Sequence, residues 1–346
     1  MHLVEEIRLN TGNSISRILI GEKIENIRSY IPQGKKIIVI TDANIIKHYK
    51  EKLGNFDIIE IGEGEINKSL QTIDYIMGRF VELEADRSTF VVGIGGGIIS
   101  DITGFAASIY MRGLRFGFVT TSLLSQVDAS VGGKNGVNYK GFKNMIGVFN
   151  QPEFVICDIE MLVSLNREEY LGGYGEIIKH GAIKDASLFS YLEENYQKAL
   201  QNDYDVIHRC VRDSVIIKSR VVEEDEKEKG ERRKLNFGHT FGHAIEKLTG
   251  MQHGKAVAIG MNLAAQVSVK KGLLNASEAE RLKKLTENLQ LPVSTQIDKS
   301  QLFSAMKKDK KREGDGLHLV LLEKIGVAVV VNVSYKELEE IIHDLR

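Results

Sequence analysis

Two cysteines in 346 residues, Cys157 and Cys210, are too few and too far apart in the sequence to suggest a disulfide framework, which fits a reducing compartment. Proline is nearly as scarce. Pro32, Pro152 and Pro292 make no proline-rich linker, and no segment repeats. No apolar run approaches the roughly 20 residues needed to cross a bilayer, and the opening MHLVEEIRLN lacks the charged and apolar regions of a secretion signal, so a cytoplasmic protein is expected. Neither sign of charge is in excess: 46 Lys and Arg against 47 Asp and Glu leave a net −1, which gives no support for a nucleic-acid or membrane surface. Any basic character must be local. What the chain does have is 42% hydrophobic residues, enough to give each of two domains its own core, and a globular enzyme is the natural class.

The densest chemistry lies in RRKLNFGHTFGHAIEKLTGMQHGKAVAIGM (232–261), which holds three of the nine histidines. His239 and His243, four apart in a helical pattern, can project from one helix face, and His253 follows a break at Gly250. Imidazoles gathered in this way suit zinc or a similar divalent ion, which also wants a carboxylate and an open position for catalysis. One His-x-x-x-His pair alone would be an ordinary helix surface. A third histidine, with Asn236 and Arg232 one and two turns before the pair, points to a site. In GGYGEIIKHG (172–181), Glu176 and Lys179 share a helix face, as a metal ligand beside a cation or as a surface ion pair.

From residue 1 to about 160, short β-rich runs alternate with amphipathic stretches, the pattern of βα units around a mostly parallel sheet; beyond, the pattern is helical to about 315. KIIVITDAN (36–44) predicts a buried strand ending in Asp42 and Asn44, and SLQTIDYIMGRFVELEA (69–85) a helix. TFVVGIGGG (89–97) predicts a strand running into a triple glycine, with a helix from near Ile98. Such a turn is an anion cradle, because glycine lets phosphate approach the backbone while unpaired amides and the helix dipole face it. The dinucleotide fingerprint G-x-G-x-x-G is incomplete, since Ile98 stands where its third glycine belongs. RFGFVTT (115–121) predicts a strand delivering Thr121 and Ser122 to the sheet's carboxyl edge, where ligands of open α/β sheets collect. The glycine- and amide-rich stretch 125–149 predicts a long ordered loop whose Lys134 and Lys143 bind phosphate or carboxylate, with Lys140 solvated. FVICDIE (154–160) predicts the last strand of the first domain. Downstream, 214–234 passes from an apolar helix face into a solvated charge run, while Lys218 and Arg232 flank candidate site segments. KKDKKREGDG (307–316) predicts a basic loop, 317–332 two short strands around a turn, and SYKELEEIIHDLR a capped helix.

Six segments in this order resemble the 3-dehydroquinate synthase family over nearly the whole chain: GGGIISDITGFAASIYMRG (95–113), LLSQVDASVGGKNGVN (123–138), KNMIGVFNQP (143–152), GEIIKHG (175–181), LNFGHTFGHAIE (235–246) and HGKAVAIGM (253–261). The resemblance implies a Rossmann-like α/β NAD-binding domain with a mostly parallel sheet (1–160) and an all-α metal- and substrate-binding domain (161–346), with the active site in the cleft. It also implies tightly bound NAD, one divalent ion, zinc or cobalt, and a homodimer. The ligands it implies are Glu176, His239 and His253. That moves His243, which spacing alone favours, to the substrate phosphate. The implied NAD contacts are Asp42 and Asn44; Glu63, Gly64, Glu65, Ile66, Asn67 and Lys68; Gly95, Gly96, Gly97, Ile98, Ile99, Ser100 and Asp101; Thr121, Ser122 and Leu124; Lys134 and Lys143; and Met161, Leu162, Val163, Ser164, Leu165 and Glu169. The implied substrate pocket holds Asp128, Lys134, Asn144, Lys179, Lys218, Arg232, Asn236, His243 and one of Lys310 and Lys311, while Arg112 reaches the neighbouring subunit's phosphate site. Four positions depart from the commonest family pattern: Ser100 replaces a glycine, Thr120 a proline, Ser122 a threonine and His180 a tyrosine. The interval from His243 to His253 is also shorter than usual.

The implied reaction converts 3-deoxy-D-arabino-heptulosonate 7-phosphate to 3-dehydroquinate and phosphate in the shikimate pathway to chorismate and the aromatic amino acids, with transient oxidation by NAD and no net redox change. A substrate with a carboxylate and a phosphate requires a locally basic pocket in a nearly neutral protein. Other sugar-phosphate cyclases, such as an aminodehydroquinate synthase, and a metal-dependent polyol dehydrogenase are the alternatives.

Overall fold

The computed structural model describes residues 3–12, 14–309 and 316–344. Lys310 and Lys311 lie outside the described residues. The chain divides into two compact units: the chain up to Asn166 together with Lys218–Glu226, and Arg167–Ile217 together with the chain from Lys227 onward. The division falls beyond residue 160 because the 3-10 turn Ile159–Ser164 is tied into the first unit, where the Tyr49 hydroxyl bonds the Met161 carbonyl (3.1 Å) and the Ser164 hydroxyl (2.8 Å). The segment 218–226 counts with the first unit through the bonds Asn10 N–Glu223 Oε1 (2.8 Å) and Gln151 Nε2–Glu226 Oε1 (3.3 Å).

Among the described residues the first unit has nine strands, β1 (Glu5–Thr11), β2 (Ser14–Ile20), β3 (Ile37–Asp42), β4 (Asp57–Ile61), β5 (Phe90–Gly95), β6 (Arg115–Thr120), β7 (Lys134–Tyr139), β8 (Phe142–Phe149) and β9 (Phe154–Cys157). Seven form one sheet in the order β1-β2-β9-β6-β5-β3-β4, and only β1 runs antiparallel to its neighbour. Parallel strands are covered on both faces, which is why β5 reads as an unbroken apolar run and is buried at every residue. The chain goes from β3 outward to β4, then returns to β5 on the other side of β3. The topological switch point therefore lies between the carboxyl ends of β3 and β5, at Asp42 and Gly95.

Three helices follow these strands: α1 (Ala43–Leu53), α2 (Leu70–Glu82) and α3 (Gly97–Ile109). Asp42 caps α1 by accepting from Ile45 N (3.0 Å), so Asn44 lies in the first helical turn and not at a strand end. Ser69 caps α2, which buries Ile73, Ile76 and Phe80.

The segment expected as a long loop is instead a one-turn π-helix, Ser125–Ala129, followed by the antiparallel hairpin β7–β8. Its two-residue turn has positive φ at both Lys140 (47°) and Gly141 (80°), the geometry whose twist matches the flanking strands. The hairpin hides from periodicity because β8 is mostly exposed and lacks a buried alternate face.

The second unit contains α4 (Arg167–Lys184), α5 (Ala186–Leu200), most of α6 (Tyr204–Glu224), α7 (His239–Thr249), α8 (His253–Lys270), α9 (Ala276–Asn288), α10 (Lys299–Asp309) and α11 (Tyr335–Asp344). It is not all-α. The two strands that 317–332 predicts form the hairpin β10 (Gly316–Lys324) and β11 (Val327–Ser334). The last turn of α10 also takes in the start of the segment expected as a basic loop, through Asp309.

Helix α4 is buried without interruption from Tyr170 to Ile183, so it is a central helix and not an amphipathic one. Glycine sets its distance to α8. A Cβ on Gly254 would stand 2.1 Å from the Gly172 carbonyl oxygen, and one on Gly260 of α8 would stand 2.0 Å from the Gly238 carbonyl oxygen at the start of α7. Main chains touch at both contacts, which only glycine permits. Among the described residues no helix is long and apolar enough to cross a membrane.

Candidate functional site

These two glycine contacts draw together α4, α7 and α8. Glu176 lies mid-way along α4, His239 is the first residue of α7 and His253 the first of α8. Left-handed glycines, Gly238 (φ 79°) and Gly250 (φ 70°), turn the chain into α7 and out of it. One ligand atom from each of Glu176, His239 and His253 falls within 4.8 Å of the others. Both imidazole Nε2 atoms stand 3.6 Å from the same carboxylate oxygen, Glu176 Oε1. That is too long for a hydrogen bond. It is close to the edge, roughly 3.4 Å, of a tetrahedron whose corners lie about 2.1 Å from a metal.

The other oxygen, Glu176 Oε2, pairs with the buried Lys179 ammonium, so the pair expected from sequence is an interior one and not a surface one. Beyond that ammonium, both carboxylate oxygens are buried without a hydrogen-bond partner. Two imidazole nitrogens and one oxygen make a donor set suited to zinc or cobalt. Burial pushes the Glu176 carboxyl up, but Lys179, His239 and His253 outweigh it and hold it well below the usual carboxylate range. Burial holds His239 well below its ordinary value. It also pushes His253 down, yet Glu176 and Glu246 prevail and raise that imidazole to about 9.

His243 is outside this cluster. Its ring lies 5.4 Å from that of His239 and 6.0 Å from that of His253, on the exposed side of α7. Before α7, in the 3-10 turn Glu231–Asn236, Arg232 is buried, and Asn236 Nδ2 donates to Glu228 Oε1 (2.6 Å). Sequence reasoning passed over Glu228, Glu246 and the contact glycines Gly172, Gly254 and Gly260. Glu246 is the last residue of the quoted LNFGHTFGHAIE, but nothing local signals its role.

In the first unit the expected nucleotide contacts gather at the carboxyl edge of the sheet. Asp42 ends β3 and Asn44 follows it in α1; Gly95 ends β5; Gly96 caps α3, and Gly97, Ile98, Ile99, Ser100 and Asp101 form its first turns. Thr121 N bonds the Gly95 carbonyl (3.0 Å), while Ser122 Oγ donates to Ser125 Oγ (3.0 Å), with Leu124 between them in sequence. Glu63 and Gly64 precede the 3-10 turn Glu65–Asn67, which contains Ile66 and is followed by Lys68. Lys68 pairs with Asp101 and donates to Asn144 Oδ1 (2.6 Å); burial pushes the Asp101 carboxyl up against that pairing.

The same turn holds the hairpin, because Asn138 Nδ2 donates to Glu65 Oε1 (2.8 Å) and Asn138 N to the Lys68 carbonyl (2.8 Å). Lys134 opens β7, and Lys143 lies exposed on β8, 3.9 Å from Glu65 Oε1. Asp128 sits on the π-helix, paired with Lys218 through both its carboxylate and its carbonyl (2.5 Å to the latter). Met161, Leu162, Val163 and Ser164 occupy the 3-10 turn after β9, with Leu165 capping it. Glu169 falls on α4, in the second unit. Arg112 is exposed and left-handed (φ 71°), directly after left-handed Met111 (φ 48°). Side chains resist that conformation, so such a pair of residues marks a constrained turn.

A parallel sheet with a glycine cradle at its switch point, joined in one chain to a helical unit with a carboxylate and two imidazoles converging, defines a nucleotide- and metal-dependent enzyme. Residues 58–172 match the family description 3-dehydroquinate synthase N-terminal, and residues 173–312 match 3-dehydroquinate synthase C-terminal. The chain belongs to the 3-dehydroquinate synthase family. It is 43% identical over 312 residues to the 3-dehydroquinate synthase of Campylobacter concisus, covering 87% of this chain and 89% of that one. A solved 2-deoxy-scyllo-inosose synthase in complex with carbaglucose-6-phosphate, NAD+ and Co2+ is similar with a TM-score of 0.87 at 26% identity, over 99% of this chain and 100% of that one. The 2-epi-5-epi-valiolone synthase of Streptomyces hygroscopicus, with NAD+ and Zn2+ bound, is similar with a TM-score of 0.85 at 25% identity, over 97% of each chain.

Proposed function

We infer that this chain catalyses its family's reaction, conversion of 3-deoxy-D-arabino-heptulosonate 7-phosphate to 3-dehydroquinate and phosphate. The observation that carries this reading is the convergence of Glu176, His239 and His253 in a chain that matches both halves of the family. These three residues would hold the divalent ion, which supplies a Lewis acid that lowers the pKa of a substrate hydroxyl. The glycine cradle and the flanking strand ends would hold NAD, which would supply a reversible hydride acceptor.

The side chains bind and orient the substrate. Lys134, Asn144, Asn236 and His243 hold the phosphate; Arg232, Lys218 and Lys310 or Lys311 hold the carboxylate. Lys179 keeps Glu176 ionised beside the ion. Gripping both anionic ends fixes the carbon that is oxidised, so catalysis rests chiefly on positioning and preorganised charge. The reading includes a cytoplasmic homodimer in which Arg112 reaches the second copy's phosphate site, which gives a reason for the constrained turn at Met111 and Arg112.

The test is incubation with the heptulosonate phosphate, NAD and zinc or cobalt, followed by assay of inorganic phosphate and of the carbocyclic product. Equal amounts of both, with no free NADH, are expected. Accumulating NADH would indicate a polyol dehydrogenase, and turnover only of a sugar phosphate lacking the carboxylate would indicate another cyclase.

A further inference from the structure

The two imidazoles of the cluster differ in what their second ring nitrogen meets. His239 Nδ1 lies 3.2 Å from the Phe237 carbonyl oxygen, a main-chain partner. His253 Nδ1 faces a side chain, Glu246 Oε2, at 3.5 Å, while its Nε2 faces Glu176 Oε1 at 3.6 Å. The His253 ring is thus held between two carboxylates, one at each nitrogen. The left-handed turn at Gly250, whose N–H returns to the Glu246 carbonyl (2.8 Å), brings the end of α7 back toward the start of α8.

A carboxylate in the last turn of α7 opposes that helix dipole, so Glu246 does not suit its helix end, and a donor at His253 Nδ1 offsets the cost. Glu246 is largely shielded from solvent, its side chain 13% exposed.

We propose that Glu246 is a positioning residue for the metal site: it accepts the Nδ1 proton of His253, fixes the tautomer that leaves the Nε2 lone pair for the ion, and sets the plane of the ring. This rests on the reading of Glu176, His239 and His253 as ligands. Outer partners of this kind typically contribute 10- to 100-fold in metal affinity.

The test compares wild-type protein with Glu246→Ala and Glu246→Gln. Zinc affinity is measured by competition with a chelator, the visible spectrum is recorded for the cobalt form, and NAD affinity and thermal unfolding serve as controls. Glu246→Ala should bind zinc about 10- to 100-fold more weakly, with an altered cobalt spectrum and unchanged NAD affinity. Glu246→Gln keeps an acceptor oxygen and should recover most of the loss. Wild-type zinc affinity and spectrum in Glu246→Ala would overturn the proposal, as would Glu246→Gln binding no better than Glu246→Ala. A wild-type chain that binds no ion would instead remove the ligand reading itself, before any substitution is made.

Discussion

Around the β5–α3 turn, a Cβ added to Gly95 would meet the Ile99 side chain at 2.4 Å, one on Gly97 would meet the Ala129 methyl at 2.9 Å, and one on Gly96 would approach the Ser122 hydroxyl no closer than 3.3 Å. At the α4–α8 contact, a Cβ on Gly254 would meet the Gly172 carbonyl oxygen at 2.1 Å. These three cradle glycines of the first unit are bordered by side chains. Gly254 and Gly260 of the second unit are bordered by main chain, and the helices they bring together carry the clustered carboxylate and imidazoles. The cradle of the first unit is made of main chain and the cluster of the second of side chains, and the same residue type serves both because it has nothing beyond Cα to get in the way.

The comparison breaks most readily at Gly254. Gly254→Ala sets a methyl against a carbonyl that cannot rotate aside, so α4 and α8 must part. A stability loss of about 3 kcal/mol in denaturant unfolding, together with loss of the bound ion, is expected. Full stability and metal content would show that the helices do not depend on main-chain contact.

Next in size is Lys134→Ala, on the first residue of β7. Removing a charged donor to phosphate should lower kcat/KM by about 10- to 100-fold, with NAD and metal both retained; unchanged steady-state kinetics would take Lys134 out of the mechanism. Gly95→Ala comes third: the added methyl would stand 2.7 Å from the branched Cβ of Ile99, which rotation cannot move, so the start of α3 at the cradle must shift. About tenfold weaker NAD binding by calorimetry is expected, with the ion retained, and parallel loss of the ion would erase the distinction between the units.

The smallest effect concerns the thiols. Cys157 in the first unit and Cys210 in the second are both buried, and burial pushes each up to about 12. Neither should react with a thiol reagent at about pH 8 until the protein unfolds, when both should. Reaction of one alone would show that its unit opens independently.

What could be read from the sequence follows the same division. The parallel strands are legible because burial on both faces leaves unbroken apolar runs, as at FVVGIG, and the cradle is legible because strand, glycines and helix start are contiguous. The β7–β8 hairpin is not, since its glycines, amides and exposed second strand give no alternation. In the second unit, local spacing singled out His239 with His243, because periodicity describes one helix at a time. The cluster takes its members from three helices. Gly172 and Gly254, which set how closely two of those helices pack, are distant in sequence, so only the family resemblance pointed to Glu176 and His253 together.

The central claim is that Glu176, His239 and His253 act as one metal-binding unit, and the most direct test is the metal content of purified variants after dialysis against dilute zinc. The account predicts one ion per chain in the wild type and in His243→Ala, and none in His239→Ala. An ion kept by His239→Ala, or lost from His243→Ala, would contradict it.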